Sequence, residues 1–231
     1  FLYIGTQNKL FYKQLGVKES KLIFTPYAVD NLRFRQTDQQ ITVTDARKEL
    51  DLPSDKIIIL YSGKYISKKR PLDLVKAIQP LPPNVLTVLV GDGELRPDLE
   101  DFIREHKLQD RVRLTGFVNQ SKIPLYYKAA DLFVMCSGLG ETWGLSVNEA
   151  MNFSLPVVVS ETCGSSYDLV VPGVNGWTFP TGDIQQLTRI LTDFLALSPA
   201  QKAQMGAASR KRIDEFSYRQ IINGLQQLMH P

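Results

Sequence analysis

Five short apolar runs, each closing on glycine or serine, constrain the fold of this chain more than any other feature. They occupy residues 57–61, 85–90, 112–115, 132–136 and 156–160, and they run into Ser62-Gly63, Gly91-Asp92-Gly93, Gly116, Ser137-Gly138 and Ser160. Helical patterns of roughly ten residues fall between and after them, at about 72–79, 95–107, 121–129 and 145–153. β-Branched strands alternating with helices call for βαβ crossovers and a parallel sheet buried on both faces. The expected fold is therefore α/β, a Rossmann-like doubly wound parallel sheet flanked by helices. Such sheets take their ligands at the carboxyl edge of the strands, where these glycines sit.

The ends of the chain read differently. Residues 1–5 look like a strand, followed by a helix to about Gly16, but both stand apart from the main alternation. Residues 22–30 read as a connector that Pro26 keeps extended. The polar stretch from Arg35 to Asp45 reads as a loop. Two further helices are expected at about 199–215 and 218–229, broken at Phe216-Ser217, with Ser217 as a cap for the second. Net charge is +3 and no apolar run nears the roughly 20 residues that span a bilayer. A mildly basic chain suits a phosphate-bearing ligand or an anionic membrane surface and offers nothing specific for nucleic acid. Two cysteines make no disulfide framework, so a reducing cytoplasm is the default location. The chain opens on Phe1 and reads as a piece of a longer protein.

Residues 137–151 carry the chemistry. Glu141 lies in a glycine-rich loop after the fourth run, and Glu149 lies eight positions on, in a helical pattern. A strand, a glycine loop and a helix start form a ready anion site, because first-turn N–H groups lack intrahelical partners. Carboxylates flanking that site suit a ligand with phosphate at one point and hydroxyls on either side, the layout of a sugar nucleotide. Ser146-Val147-Asn148-Glu149 also fits a capping box, in which Glu149 folds back on the backbone. Glu141 could equally be a solvated loop charge. Lys64 and Lys69 belong to a run of cations after the first strand, which reads either as a solvated loop or as a grip on pyrophosphate; Lys68 and Arg70 read as surface residues. Gly91-Asp92-Gly93 lacks the third glycine of a dinucleotide fingerprint, which disfavours a nicotinamide enzyme. No Asp-x-Asp follows a strand, and neither His106 nor His230 has a ligand partner, so no metal or other cofactor is expected. Phe117 reads as core before it reads as a stacking platform, Tyr126 and Tyr127 as helix packing, and Cys163 as a buried, inert thiol.

With those residues in place, the chain resembles the C-terminal, donor-binding half of a GT-B glycosyltransferase of the retaining "glycosyl transferases group 1" family. The likeness runs from about Leu22 to the C-terminus. It rests on Glu141 through Glu149 as the family's E-x7-E motif, then Glu149-Ala150-Met151 and Pro156-Val157. Gly63-Lys64 with Lys69-Arg70-Pro71, Gly91-Asp92-Gly93-Glu94-Leu95, Gly116-Phe117-Val118 and Pro172-Gly173-Val174-Asn175-Gly176 support it. Lys64 stands where many members carry arginine, which keeps the charge and loses the fork. Phe153-Ser154 replaces the usual small residue and glycine.

The resemblance implies transfer of a hexose from a UDP-, GDP- or ADP-sugar to a glycan or lipid-linked acceptor, with retention and without a metal. It gives Lys64, Lys69 and Glu141 to catalysis. Gly63, Gly91, Gly93, Gly116, Phe117, Val118, Gly144, Leu145, Ser146 and Glu149 would bind the donor: Glu149 the ribose, Glu141 the sugar hydroxyls, and the amides of residues 144–146 the diphosphate. Gly144 is expected to lack a side chain so that the ligand can approach. Residues 1–28 would be the end of an N-terminal lobe and a connector, 29–215 the nucleotide-sugar domain, and 216–231 a helix packing toward the missing lobe. The acceptor would sit mainly in that lobe, so this piece alone should bind nucleotide but turn over poorly. The full protein could touch the cytoplasmic membrane face in polysaccharide biosynthesis. A non-catalytic nucleotide-sugar-binding module and a GT-B epimerase remain alternatives; a phosphorylase would need a pyridoxal lysine site, for which the sequence gives no support.

Overall fold

The computed structural model describes residues 1–229, so His230 lies outside the described residues. A small parallel pair, β1 (Leu2–Tyr3) and β2 (Ile23–Phe24), brackets α1 (Thr6–Gln14). Two helices follow, α2 (Asn31–Gln40) and α3 (Val43–Glu49). The main body then alternates β3 (Ile57–Ser62), α4 (Pro71–Ala77), β4 (Val85–Val90), α5 (Arg96–Glu105), β5 (Val112–Leu114), α6 (Ile123–Ala129), β6 (Leu132–Met135) and α7 (Leu145–Asn152). It continues through β7 (Val157–Ser160), α8 (Ser166–Leu169), β8 (Gly176–Phe179), α9 (Ile184–Ala196), α10 (Pro199–Arg212) and α11 (Tyr218–Met229).

Six strands form one sheet in the order β5-β4-β3-β6-β7-β8, and every neighbouring pair is parallel. The order reverses between β3 and β6, where the crossovers part to opposite sides and open a crevice at the carboxyl edge. Alternate side chains of each strand feed two cores. On one face Ile58, Leu60, Val88 and Phe133 pack with α2, α6 and α7; on the other Ile59, Leu89, Val134 and Val158 pack with α4, α5 and α9.

One polar segment departs from its sequence pattern. Residues 35–45 are not a loop but the bulk of α2 and the start of α3, separated by a break at Ile41-Thr42. Asp30 caps α2 by accepting from the Arg33 amide at 3.0 Å, and Thr42 caps α3 by accepting from Asp45 at 3.1 Å. Each helix lays a thin apolar or long-chain face on the body and turns its many polar residues to water, so composition masked the period. Strand β8 and helix α9 were also not anticipated.

Buried polar groups tie the ends to the body. The Arg47 guanidinium of α3 donates to the carbonyls of Ala129, Ser54 and Lys56 and to the Asp131 carboxylate, which also accepts from the Ile58 amide at 2.7 Å. Asn152 donates to the Asn31 side chain, and Asn31 donates on to the carbonyls of Ile213 and Phe216. The Asp168 carboxylate receives the Thr6 amide at 2.9 Å and the Thr6 hydroxyl at 2.8 Å, and so caps α1 from across the molecule. Helix α11 begins as expected, the Ser217 hydroxyl accepting from Gln220, and it crosses back to lie on β2. A Cβ on Gly224 would stand 2.3 Å from the Phe24 carbonyl oxygen, so only glycine permits that crossing.

Candidate functional site

The glycines after β3, β4 and β5 knit three strand ends into one floor. Gly63 donates to the Val90 carbonyl at 2.9 Å, and Gly91 donates to Gly116 at 3.1 Å. Gly91 has φ +143°, and a Cβ there would fall 1.9 Å from the Gly63 oxygen; at Gly93, φ +155°, it would fall 2.5 Å from the Tyr65 oxygen. These two glycines let the loops touch backbone to backbone, which shapes the floor before any ligand arrives. Lys64 follows Gly63 with an exposed side chain, outside the contacts among the other predicted residues.

Lys69 and Glu141 do meet. The Lys69 ammonium pairs with the Glu141 carboxylate across the gap between the β3 and β6 loops, and their side chains are only 19% and 10% exposed. A carboxylate this buried is no solvated loop charge. Lys68 reaches the Gly140 carbonyl at 3.3 Å and holds the same loop, while Arg70 bonds Asp73 rather than standing free in water. Lys68 and Arg70, expected at the surface, thus keep exposed or partly exposed side chains while bonding to a neighbouring loop and helix.

Helix α7 starts immediately after that loop. Gly144 is its N-cap, left-handed at φ +91°, and no side chain caps it. The first-turn N–H groups of Leu145 and Ser146 are therefore left without a side-chain cap. Gly144 is required for a different reason from the expected one. A Cβ there would strike Met135 Sδ at 2.6 Å and Cys163 Sγ at 3.0 Å, which are interior atoms and not a ligand.

Glu149 is not the end of a capping box, because α7 begins at Leu145 and places Glu149 in its second turn. Its carboxylate instead accepts from the Tyr127 hydroxyl at 2.7 Å. Burial pushes the Glu149 carboxyl above its ordinary value, and the Tyr127 hydrogen bond and the Arg33 charge oppose that rise. Phe117 is 84% exposed, so the core reading fails at this residue, whereas Val118 beside it packs on the core. The left-handed Gly116, φ +73°, turns the chain so that consecutive side chains take opposite environments. Cys163 is buried as expected, donating its thiol to the Trp143 carbonyl at 2.9 Å, and burial raises its pKa. Cys136 and Cys163 are both free. Among the described residues no group of three or more His, Cys, Asp or Glu side chains gathers around a common point, and no helix is long and apolar enough to cross a membrane.

A cleft of about 470 Å³ opens beside the pair, lined by Glu141 and Thr142, by Glu161 to Gly164 after β7, and by Gln7 and Tyr167. It lies between α1 and the sheet edge. The crevice can thus take an anion on its floor and a hydroxylated group in the adjoining cleft.

Comparison with known proteins decides the family. Residues 42–212 match the model for glycosyl transferases group 1. The chain belongs to that family.

Its relatives in the family include the amylovoran biosynthesis glycosyltransferase AmsK of Erwinia amylovora, 35% identical over 61% of this chain and 36% of that protein. A D-inositol 3-phosphate glycosyltransferase of Xylanimonas cellulosilytica is 30% identical over 76% of this chain and 42% of its own length. The chain thus spans well under half of these relatives. Among solved structures it is similar to sucrose-phosphate synthase from Thermosynechococcus elongatus, with TM-score 0.84, 27% identity, and 99% of this chain covering 57% of that one. Anabaena HepE in complex with UDP-glucose superposes with TM-score 0.82 at 21% identity, covering all of this chain and 63% of the other, and shows the shared GT-B fold.

The structure pairs Lys69 with Glu141, which lines the cleft, and it sets Gly144, Leu145, Ser146 and Glu149 along the start of α7. Tyr127 and Asp168 make polar contacts that the sequence does not announce. Tyr127 read as packing because its apolar surroundings are the stronger local signal, and its partner Glu149 is 22 positions away. No local spacing marks either contact.

Proposed function

We propose that this chain is the donor-binding part of a retaining hexosyltransferase that uses a nucleoside-diphosphate sugar. The observation that carries the reading is the buried Lys69–Glu141 pair beside the uncapped start of α7. A ligand with a diphosphate can take the Lys69 ammonium and the Leu145 and Ser146 amides together, while Glu141 turns to hydroxyls of the attached sugar. Glu149, E-x7-E partner of Glu141, accepts hydrogen bonds from both ribose hydroxyls, for which the two lone pairs of one carboxylate oxygen suffice. Phe117 and Val118 lie along the base, and Gly63, Gly91, Gly93 and Gly116 form the floor beneath it. Anabaena HepE, which shares the fold, is solved in complex with UDP-glucose, and this supports a nucleotide sugar as the ligand class.

Bond cleavage puts negative charge on the leaving diphosphate. Lys69, held in place by Glu141, and the exposed Lys64 meet that charge, and one preorganised contact of this kind is worth on the order of 10²–10³ in rate. The diphosphate, held on one face, guides the acceptor hydroxyl to attack from that face and accepts its proton, which gives retention. The two lysines supply the positive charge, so donor binding proceeds without a divalent metal. A glycan or lipid-linked acceptor enters from a second lobe, in the cytoplasm and, for the full protein, at the membrane face. The chain described here accordingly binds nucleotide but transfers sugar slowly.

Thermal unfolding with UDP, GDP, ADP and their glucose conjugates tests the reading, with and without EDTA. A ligand at about 100 times Kd stabilises by about 2.7 kcal/mol. One nucleotide series should raise Tm, unaffected by EDTA. If none does, the site is not a donor site.

A further inference from the structure

Tyr127 lies at the end of α6 and is fully buried. Its ring stacks on Phe153 at 5.7 Å and 22°, and it leans on Phe133 at 5.9 Å. Those contacts fix the ring, and its hydroxyl meets Glu149 Oε2 at 2.7 Å. Burial holds the phenol well above its ordinary pKa, so the proton stays on the tyrosine and the hydroxyl is a permanent donor. Among the described residues Glu149 receives one hydrogen bond, at Oε2, and its other oxygen accepts none.

We propose that Tyr127 is a positioning residue for Glu149: it binds one carboxylate oxygen so that the other is presented, ionised and fixed, to the vicinal diol of a nucleoside. This rests on the donor-site reading above. Two effects follow from one bond. The tyrosine restricts Glu149 to one rotamer, which removes an ordering cost at binding. It also stabilises the carboxylate against its own burial, and an ionised carboxylate is the form that accepts hydrogen bonds from two hydroxyls. The groups facing Glu149 are the Tyr127 hydroxyl from α6 and the Arg33 charge from α2, with the Ser62 hydroxyl facing the phenol from β3. Of these, only the Tyr127 hydroxyl contacts the carboxylate directly and sits on a side chain locked by aromatic packing.

Tyr127→Phe removes the hydroxyl and keeps the stacking, so the variant should fold. The experiment measures affinity for UDP, GDP and ADP by calorimetry in wild type, Tyr127→Phe, Glu149→Gln and the double variant, at about pH 6 and about pH 8.5. Using the nucleotide that wild type binds tightest, Tyr127→Phe should weaken binding on the order of tenfold, as expected for a hydrogen bond to a charged group. The loss should be larger at the lower pH, because the unassisted carboxyl protonates more readily. On the Glu149→Gln background the same change should cost less than about twofold. Wild-type affinity in Tyr127→Phe at both pH values would overturn the proposal, and so would an equal loss on both backgrounds, the mark of a merely structural tyrosine. Failure of wild type itself to bind any of the three would instead remove the donor-site reading.

Discussion

At the scale of single residues, the two carboxylates are held by opposite means. Glu141 is neutralised by a cation, whereas Glu149 is steadied by a neutral phenol. Glu141→Ala leaves Lys69 without its partner and free to serve phosphate. The expected outcome is nucleoside diphosphate binding within about threefold of wild type, together with loss of most of the added affinity that the sugar confers; calorimetry with UDP against UDP-glucose, or the matching pair for another base, checks it. Titration gives Glu149 a second signature. Its carboxyl is raised above 4.5, so the ionised form costs folding energy once pH exceeds that ordinary value, and the cost is relieved as pH falls through the raised one. Nucleotide affinity runs the other way, because the diol needs the carboxylate. Between those two pKa values, lowering the pH should strengthen the folded state relative to Glu149→Gln while weakening the ligand, measurable by urea unfolding and calorimetry on the same samples.

Elements were legible where apolar period and glycine punctuation agree. Strands β3 to β7 and helices α4 to α7 stand within a few residues of where the pattern puts them, because parallel strands buried on both faces must be nearly continuous in Val, Ile and Leu. Helices α2 and α3 were not legible, since Arg33, Arg35, Arg47 and the surrounding glutamines mask a thin buried face. The site was legible in part. Glycine loops and carboxylates announce themselves, but the Tyr127–Glu149 bond joins elements that only the folded sheet brings together. Arg47 shows how much such long-range polar contacts hold. Its guanidinium is 10% exposed and spans α3, α6 and the entry to β3. Arg47→Ala takes a donor from the partly exposed Asp131 carboxylate and from three carbonyls, and should cost about 1–3 kcal/mol in urea unfolding. Arg47→Lys should recover only a fraction, because an ammonium lacks the fork.

Over the whole molecule, the last helix is fastened to the first strands through a single missing side chain. Gly224→Ala should push α11 off β2 without touching the central sheet. Hydrogen exchange would show the change as faster exchange in residues 1–28 and 218–229, with β3, β4 and β6 still protected. Asp168 does the corresponding work at the other end of the first segment. Both of its oxygens are engaged by Thr6, and α1 forms one wall of the cleft that Glu141 enters from the other side. Whatever width that cleft has is therefore set by one acidic side chain reaching out from behind β7. A loosened grip there would change the spacing between the walls before it changed any residue on them, which makes Asp168 the caliper of the opening.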